Sequence, residues 1–286
     1  GKGKIYWGIP LNEILEKEGI SPDVEYSVPL DAHIDWIHRK ENDTDIYFIV
    51  NSSDKIINAD VRFRVSGREP ELWDPVTGGV EPLCYTISDD FTTIKLEMIE
   101  RESAFIVFRN KVSSRTNKIE KKIPESIAFP DSRWEIKFPP EMGAPESIST
   151  DTLKSWTFFT DDGIKYFSGT AVYRKNFILN QKALRGSERF ILDLGSVYDI
   201  AEISVNGTTA GVLWSPPYST DITGLLKKGE NIIEIKVTNQ WTNRLIGDSR
   251  SQQDKKILSP DAFIFPGRKP DLSGLLGPVK LLKYTR

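Results

Sequence analysis

Regular alternation of apolar and polar residues dominates the second half of this chain. Residues 201–205 place apolar side chains at every second position, which is the period of a strand with one buried face. The dipeptide Asn206-Gly207 comes next, and it favours a type I′ hairpin turn because both central residues of that turn need a positive φ. A returning strand reaches Trp214, and the alternation resumes over residues 233–237. The pattern predicts an antiparallel β-sandwich.

Shorter alternating runs fill residues 30–110. Residues 45–50 place Ile46, Phe48 and Val50 on one face, and similar runs occupy residues 61–65, 94–98 and 105–108. Clusters of Asn, Ser, Asp, Thr and Gly separate these runs and are typical of turns. We therefore predict a small β-sandwich over residues 28–110, a length within the usual range for one domain.

The first 27 residues have a different pattern from the rest of the chain. Residues 2–7 are strand-like, and Pro10 stands where a helix can start, with Gly19 placed to end it. A strand and a helix alone have too few partners to fold, so we interpret residues 1–27 as the remnant of an upstream domain. Because the chain also starts at Gly1 without a methionine, we expect it to be a piece of a longer protein.

A basic stretch separates the two predicted domains. Residues 109–122 carry six basic residues and one acidic residue, without an apolar period. No aromatic residues are interleaved with these charges, so a solvated linker is favoured over a nucleic-acid site. We assign residues 111–126 to the linker and residues 127–286 to the second domain.

Several motifs of the second domain resemble a known family. Asn206-Gly207, the pair Gly211-Val212 and residues 216–239 look like the sugar-binding domain of family 2 glycoside hydrolases, and residues 169–177 and 273–281 also match its pattern. That resemblance implies a galactose-binding-like jelly roll. The fold class expected for the whole chain is therefore all-β, with a small β-sandwich followed by a galactose-binding-like jelly-roll β-sandwich and a short N-terminal strand-helix remnant.

A second resemblance concerns the parent protein. The segment NQWTNRLIGD, residues 239–248, is similar to the C-terminal region of the α-L-rhamnosidases of glycoside hydrolase family 106. In that family a catalytic barrel precedes β-sandwich domains. The resemblance implies that this chain is the non-catalytic C-terminal region of a larger glycoside hydrolase.

Composition narrows the function classes. The 286 residues carry a formal net charge of -3, which offers no basic surface for nucleic acid or anionic lipid. No apolar run approaches the roughly 20 residues that span a membrane. The single cysteine, Cys84, excludes an intrachain disulfide, and it is compatible with the cytoplasm or with a secreted or periplasmic bacterial protein.

The sequence provides no convincing catalytic centre. Glycoside hydrolysis needs two carboxyl groups on either side of the scissile bond. Glu71 and Asp74 form the tidiest pair, but a strand end and a turn-initiating Asp before Pro75 explain them better. In the families resembled here the catalytic carboxylates lie in a barrel, and no alternation of strands and helices exists here to build one. We predict no catalytic residues.

We also predict no cofactor, with a structural Ca²⁺ as the alternative. Jelly-roll carbohydrate modules often hold Ca²⁺ through carboxylates and carbonyls. Asp161, Asp162 and Asp199 stand at predicted turns, but their spacing matches no metal motif. Solvated turn residues are the favoured interpretation, and no metal ligands are assigned.

Sugar binding is the remaining chemistry. A pyranose offers apolar C–H faces and polar edges, so its sites combine aromatic rings with amide and guanidinium groups. Strand ends and loops of the second domain supply such groups, and the candidate residues are Trp214, Tyr218, Asn239, Trp241, Asn243 and Arg244. The alternative is structural: both tryptophans could fill the core, and Arg244 could pair with Asp248.

These observations lead to one functional hypothesis and two alternatives. We predict an accessory region of a larger glycoside hydrolase that supports the catalytic domain and contacts carbohydrate. The alternatives are an autonomous carbohydrate-binding module and a purely structural interaction domain. The expected partners are the catalytic domain of the parent chain and carbohydrate, but neither nucleic acid nor a membrane.

Overall fold

The computed structural model describes residues 3–119, 123–127, 129, 133–179, 188–251, 257 and 267–285. Contacts divide the chain into two compact units, Gly1–Lys121 and Lys122–Arg286. Strands make up 48% of the residues that the structure describes and helices 10%, so the all-β fold class is confirmed. Each unit is described below by itself.

The first unit contains ten strands in two antiparallel five-stranded sheets. Sheet I has the order β1-β4-β8-β7-β10, and sheet II has the order β2-β3-β9-β5-β6. The strands are β1 (Val24–Tyr26), β2 (Ile34–Glu41), β3 (Thr44–Asn51), β4 (Ile57–Phe63), β5 (Arg68–Trp73), β6 (Val80–Pro82), β7 (Tyr85–Ser88), β8 (Phe91–Met98), β9 (Ser103–Lys111) and β10 (Thr116–Asn117). Buried side chains from both sheets form one core between them.

Two of the predicted alternating runs face this core. Val61 and Phe63 on β4 are buried, and so are Ile94, Leu96 and Met98 on β8. In the antiparallel register β4 pairs with β8, so the two runs cover neighbouring strips of the same inner face. Alternation predicts these strands because their other faces are polar.

Strand β3 is apolar on both faces, and the face that packs into the core is the one opposite to Ile46, Phe48 and Val50. Ile46, Phe48 and Val50 do share a face, but the core of the sandwich is on the other side, where Tyr47 and Ile49 are fully buried. The ring of Tyr47 lies 4.8 Å from the ring of Phe63 across the core. Since both faces of β3 are apolar, the two-residue period cannot choose between them.

The N-terminal piece is only partly as predicted. A helix, α1 (Leu11–Lys17), follows Pro10 and ends before Gly19, whose φ is +69°. Residues 3–10 form no strand, and none of the residues of α1 is buried. The expected strand is absent from residues 3–10 because a strand needs a hydrogen-bonding partner, which an isolated apolar run does not specify.

The unit boundaries also differ from those expected. Strand β1 pairs with β4, so residues 24–26 lie in sheet I and not in a separate remnant. Strand β10 pairs with β7 in sheet I, whereas β11 (Glu125–Ile127) pairs with the last strand of the second unit. The expected linker, residues 111–126, thus contributes strands to both units. These strands have two or three residues, too few for a period to be recognised.

The second unit is built on two further sheets. Sheet III has the order β13-β12-β14-β20-β17-β18, sheet IV has the order β11-β22-β15-β19, and β16 pairs with β21. The strands after β11 are β12 (Trp134–Lys137), β13 (Ser147–Thr150), β14 (Thr170–Leu179), β15 (Arg189–Asp193), β16 (Ser196–Tyr198), β17 (Ile200–Val205), β18 (Thr208–Leu213), β19 (Ser219–Asp221), β20 (Gly229–Thr238), β21 (Gly274–Gly277) and β22 (Lys280–Tyr284). A core of apolar residues from both sheets includes the fully buried Trp156.

The hairpin predicted from the sequence is confirmed. Strands β17 and β18 are joined by Asn206 and Gly207, whose φ angles are +52° and +81°. The Asn206 side chain also donates a hydrogen bond to the carbonyl oxygen of Leu225, at 2.9 Å. The turn is therefore fixed both by its conformation and by a contact with the neighbouring loop.

Among the residues of this unit that the structure describes, two α-helices interrupt the strands. They are α2 (Asp162–Lys165), capped by the Asp161 carboxylate, and α3 (Thr242–Arg250). We expected the segment containing α3 to be a loop following a strand end. It is a helix of nine residues whose buried face combines Ile246 and Gly247 with the polar or charged Asn243, Arg244 and Asp248, so it lacks the continuous apolar stripe by which a helix is recognised in sequence.

Candidate carbohydrate-binding rim

Four strand ends of sheet III meet at one edge of the second unit. Thr238, at the end of β20, pairs with Thr170 at the start of β14 and with Ile200 at the start of β17. Leu213, at the end of β18, pairs with Ala201. The chain segments that carry Trp214 and Trp241 therefore leave the sheet at the same end, and we call residues 169–170, 199–200, 213–214 and 238–241 the rim.

The two tryptophans of the rim are exposed. The exposed fraction is 61% for Trp214 and 48% for Trp241, so neither fills the core. Their strands β18 and β20 are separated by β17, and two inter-strand steps correspond to about 10 Å. Exposed aromatic side chains at this spacing can present apolar surfaces to the rings of one oligosaccharide.

Tyr218 connects two segments close to the rim. Its hydroxyl donates a hydrogen bond to the carbonyl oxygen of Asp199, at 3.1 Å, and its ring packs partly against the core. Burial, together with the charge of Asp199, raises the pKa of the phenol. A neutral, half-buried tyrosine with its hydroxyl committed to a backbone carbonyl stabilises the rim rather than reaching out from it.

Asn239 has a similar bracing role. Its amide nitrogen donates to the carbonyl oxygen of Phe167 at 3.0 Å, and its amide oxygen accepts from the N–H of Gly169 at 2.9 Å. The Ser168 hydroxyl donates to the carbonyl oxygen of Gln240 at 2.9 Å. These bonds hold the end of β20 against the start of β14.

Asn243 lies in the first turn of α3 and is buried, with an exposed fraction of 2%. Its amide nitrogen donates to the carbonyl oxygen of Asp271, and its amide oxygen accepts from the N–H of the same residue, both at 2.8 Å. A further bond joins the amide nitrogen to the Ser273 hydroxyl at 3.3 Å. The side chain fastens residues 271–273 to the helix.

Arg244 is buried as well, with 4% of its side chain exposed. Its Nε lies 3.0 Å from Oδ1 of Asp248, one helical turn further on and fully buried. Within the described part of the chain Nε has no hydrogen-bond partner, so the contact with Asp248 is an ion pair. Removing one partner of such a pair leaves an uncompensated buried charge, which is strongly destabilising.

A glycine makes room for this guanidinium. A Cβ at Gly247 would lie 2.4 Å from Nη2 of Arg244, closer than a real Cβ can approach. The backbone N–H of Arg244 also donates to the Ser168 hydroxyl, at 3.0 Å. Arg244 is therefore part of the packing between α3 and its surroundings.

The six candidates thus fall into three groups. The rim brings together Trp214 and Trp241 as exposed aromatic residues. Tyr218 and Asn239 brace it. Asn243 and Arg244 lie on the buried face of α3, with polar atoms that contact protein partners.

Sequence reasoning missed the residue that connects these groups. Ser168 bonds both to the carbonyl oxygen of Gln240 and to the N–H of Arg244, so it joins the rim to the first turn of α3. The only signal was its place before Gly169, whose φ of +134° ends the preceding loop. A serine before a strand is common in turns and caps, so its bridging role is recognisable only once the fold is known.

The two carboxylates considered for catalysis have structural partners. Glu71 accepts hydrogen bonds from the indole of Trp73, from Arg109 and from Asn110. Asp74 accepts from the backbone of Val76 and the hydroxyl of Thr77 in the turn between β5 and β6. Among the residues that the structure describes, no group of three or more Cys, His, Asp or Glu side chains could hold a metal ion, and no helix is long and apolar enough to cross a membrane.

Comparisons with known proteins agree with both resemblances. Residues 1–87 match the family model for α-L-rhamnosidase, and residues 160–271 match the model described as glycosyl hydrolase 2 galactose-binding domain-like. A protein of Formosa agariphila, provisionally named a β-glucuronidase, is 40% identical over 185 residues, which are 56% of this chain and 16% of that protein.

Among solved structures, a rhamnosidase from Novosphingobium sp. PP1Y is similar over 96% of this chain, with 34% identity and a TM-score of 0.85. The match covers 26% of the rhamnosidase, so this chain spans about a quarter of that relative's length. The expected resemblances, to family 106 α-L-rhamnosidases and to the galactose-binding-like domain of family 2 glycoside hydrolases, are confirmed.

Proposed function

We propose that this chain is the accessory, non-catalytic C-terminal region of a larger, rhamnosidase-like glycoside hydrolase, and that it supports the catalytic domain and contacts carbohydrate. The observation that carries the proposal is the similarity to the Novosphingobium rhamnosidase, which extends over 96% of this chain but only 26% of that enzyme. The order of the two family matches, first rhamnosidase and then galactose-binding-like, supports the same architecture.

The contacts of the neatest carboxylate pair support a non-catalytic role. A glycosidase needs one carboxyl group to protonate the leaving group and a second to act as nucleophile or base, with substrate between them. Glu71 and Asp74 are instead both occupied by neighbouring donors. The catalytic carboxylates would lie in the catalytic domain of the parent, which is the first partner that we propose.

Activity measurements test this part of the proposal. We expect the isolated chain to leave an aryl α-L-rhamnoside intact and the full-length parent enzyme to hydrolyse it. Hydrolysis by the isolated chain that disappears in Glu71→Gln would contradict the non-catalytic role. An inactive parent, assayed on a panel of aryl glycosides, would contradict the assignment to a glycoside hydrolase.

The exposed tryptophans of the rim support carbohydrate contact. Trp214 and Trp241 offer apolar ring surfaces at one end of sheet III, and the bonded network around Asn239 and Ser168 keeps that end rigid. Pre-ordered aromatic surfaces reduce the entropy lost on binding. The proposed ligand is an oligosaccharide, and the proposed site requires no metal.

A titration separates the remaining alternatives. The isolated chain is followed by NMR while rhamnose and galactose-, mannose- and uronate-containing oligosaccharides are added. We expect saturable shifts that weaken in Trp214→Ala and Trp241→Ala. The matched control is Ile178→Ala, because Ile178 is 70% exposed near the far end of β14, about 27 Å along the strand from the rim.

Each outcome has a distinct meaning. Tight binding by the isolated chain would favour an autonomous carbohydrate-binding module. If no sugar of the panel shifts the NMR signals, and the Trp214→Ala/Trp241→Ala parent enzyme keeps its activity, a purely structural domain would be favoured. Equal weakening by Ile178→Ala would show that the rim is not the site.

A further inference from the structure

The outer face of sheet II carries an apolar row that crosses the whole sheet. Register places Ile37 beside Phe48, Phe48 beside Phe105, Phe105 beside Trp73, and Trp73 beside Val80. All five side chains lie on the face opposite the core. Five strands at about 4.8 Å spacing make this row roughly 19 Å long. We call these five residues the apolar row.

The line of positions next to the row is mixed. A two-residue step along the strands gives Arg39, Ile46, Val107, Glu71 and Pro82, of which Val107 is buried. Ile37 and Val80, at the two ends of the row, are 55% and 47% exposed, and the three aromatic residues between them are partly exposed. A contiguous apolar surface of this extent on a soluble domain marks an interaction site.

The other sheet of the same sandwich shows that the core does not require such a surface. Sheet I encloses the same core, yet its outer face pairs Glu25 with Arg62 and Asp60 with Lys95. Asn58 and Glu97 form the next pair along. A polar outer face is therefore compatible with this sandwich, and the apolar one must have a cause outside the core.

The polar groups beside the row argue against a sugar as its occupant. A glycan site needs donors and acceptors that are free to bond hydroxyl groups. Here Glu71 is occupied by Trp73, Arg109 and Asn110. The guanidinium of Arg109 lies 5.0 Å from the centre of the Trp73 ring, so it already covers one face of the indole. The exposed surface of the row itself is apolar, which suits a protein partner better than a sugar.

We infer that the apolar row is a docking surface for another domain of the same parent enzyme, and this inference rests on the proposed function. The rhamnosidase to which 96% of this chain is similar is nearly four times as long as the matched region. Partners within one chain meet at an effective concentration up to the millimolar range, so a modest apolar interface is enough to keep them together. Interfaces between domains of one chain bury about 600–1,500 Å².

Side-chain labelling of the isolated chain and of the full-length parent tests the inference directly. Hydroxyl radicals modify exposed aromatic side chains, and mass spectrometry locates the modification. We expect Trp73 and Phe105 to be labelled several-fold more slowly in the parent than in the isolated chain. Equal labelling in the two proteins would overturn the docking surface.

Matched variants provide the second arm. Ile37→Lys/Val80→Lys places two charges at the exposed ends of the row, and Asn58→Lys/Thr86→Lys places the same charges on the outer face of sheet I. In the isolated chain both variants should keep the wild-type Tm. In the parent we expect only the first to remove the protection of Trp73 and to speed limited proteolysis between this region and the rest. Equal behaviour of both variants would overturn the inference.

Two other occupants have recognisable signatures, and either would overturn the inference. A second copy would give a dimer of the isolated chain in sedimentation velocity that Ile37→Lys/Val80→Lys converts to monomer, with no change in the parent. A glycan would protect Trp73 only after oligosaccharide is added. Glycosidase activity of the wild-type parent is assayed in parallel and separates the docking surface from the proposed function. If the parent is active but Trp73 and Phe105 are labelled as fast as in the isolated chain, the docking surface is contradicted and the proposed function is not.

Discussion

The two sheets of the first unit enclose one core but present opposite outer surfaces. Sheet I turns ion pairs and hydroxyl groups outward, as between Glu25 and Arg62, whereas sheet II turns out a row that includes Phe48, Phe105 and Trp73. Both sheets have five antiparallel strands, so topology does not account for the difference. The comparison teaches that packing in the core explains the apolar residues on one face of each sheet. The apolar residues on the outer face of sheet II need a different explanation.

The same contrast holds against the large sheet of the second unit. On the outer face of sheet III, Arg174 of β14 stands between Glu135 of β12 and Glu234 of β20, and Lys236 stands beside Glu202 at 2.7 Å. Opposite charges on neighbouring strands are typical of a solvated face. Of these three outer faces, that of sheet II is the one dominated by apolar side chains.

The largest expected difference comes from one substitution made on the two faces of sheet II. Ile106 on β9 is fully buried, whereas Ile37 on β2 is 55% exposed. In the isolated chain Ile106→Ala should lower the free energy of unfolding by about 2–5 kcal/mol, because it leaves a cavity in the core. Ile37→Ala should change it by about 0.5 kcal/mol or less. Urea denaturation measures both.

The comparison fails if the two substitutions cost the same. A large loss for Ile37→Ala in the isolated chain would mean that the outer face of sheet II already packs against part of this chain. In that case the row would be a second core and would need no external partner.

Removing a carboxylate from each outer face should give the next largest difference. Glu71 on sheet II is 14% exposed and accepts hydrogen bonds from three side chains, so Glu71→Ala should cost about 1–2 kcal/mol because hydrogen bonds to a charged group are lost. Glu25 on sheet I is 36% exposed in its pair with Arg62, and Glu25→Ala should cost about 0–1 kcal/mol. Thermal unfolding of both variants provides the test, and a larger loss for Glu25→Ala would reverse the comparison.

Much of the fold could be predicted from the sequence where one face of a strand is polar. The alternation on β4 and β8 identified their buried residues, and Asn206-Gly207 placed the hairpin between β17 and β18. Prediction failed where both faces are apolar, as on β3, since a period of two then fits either orientation. It also failed for β1 and β10, because two or three residues carry no period.

The candidate site was predicted only in part, for a related reason. Residue chemistry selects tryptophan, asparagine and arginine for sugar binding, but the same groups satisfy buried backbone atoms. Trp214 and Trp241 are exposed on the rim, whereas Asn243 and Arg244 serve the packing of α3. Whether a polar side chain faces solvent or a backbone carbonyl depends on tertiary contacts that no local pattern encodes.

A smaller difference should appear as a pH dependence in the turns that end the two sheets. Burial raises the pKa of Asp74, but bonds from the Thr77 hydroxyl and from the N–H groups of Val76 and Thr77 outweigh it, so the pKa is lower than usual. A carboxyl whose folded pKa is depressed stabilises the fold above its unfolded pKa, near 4, and loses that contribution as the pH falls through the folded pKa. Asp74→Ala should therefore cost about 1 kcal/mol at pH 7 and less below about pH 4.

The exposed Asp90, in the turn between β7 and β8 of sheet I, gives the matched control. Asp90→Ala should change the free energy of unfolding at pH 7 by no more than about 0.5 kcal/mol. Urea denaturation between pH 3 and pH 7 compares the two variants. A constant difference between wild type and Asp74→Ala across that range would contradict the assigned role of the carboxylate.

The smallest expected effect is that of the outermost ion pair of sheet I. Lys95 and Asp60 are 3.9 Å apart with 85% and 64% of their side chains exposed, so water and salt screen their attraction. Lys95→Gln/Asp60→Asn should change the free energy of unfolding by no more than about 0.5 kcal/mol, equally at low and at high salt. If the loss is larger and disappears in salt, the charges of sheet I hold the sheet together. The outer faces would then differ in how they stabilise the sandwich, and the polar face of sheet I could no longer serve as the neutral reference against which the apolar row is judged.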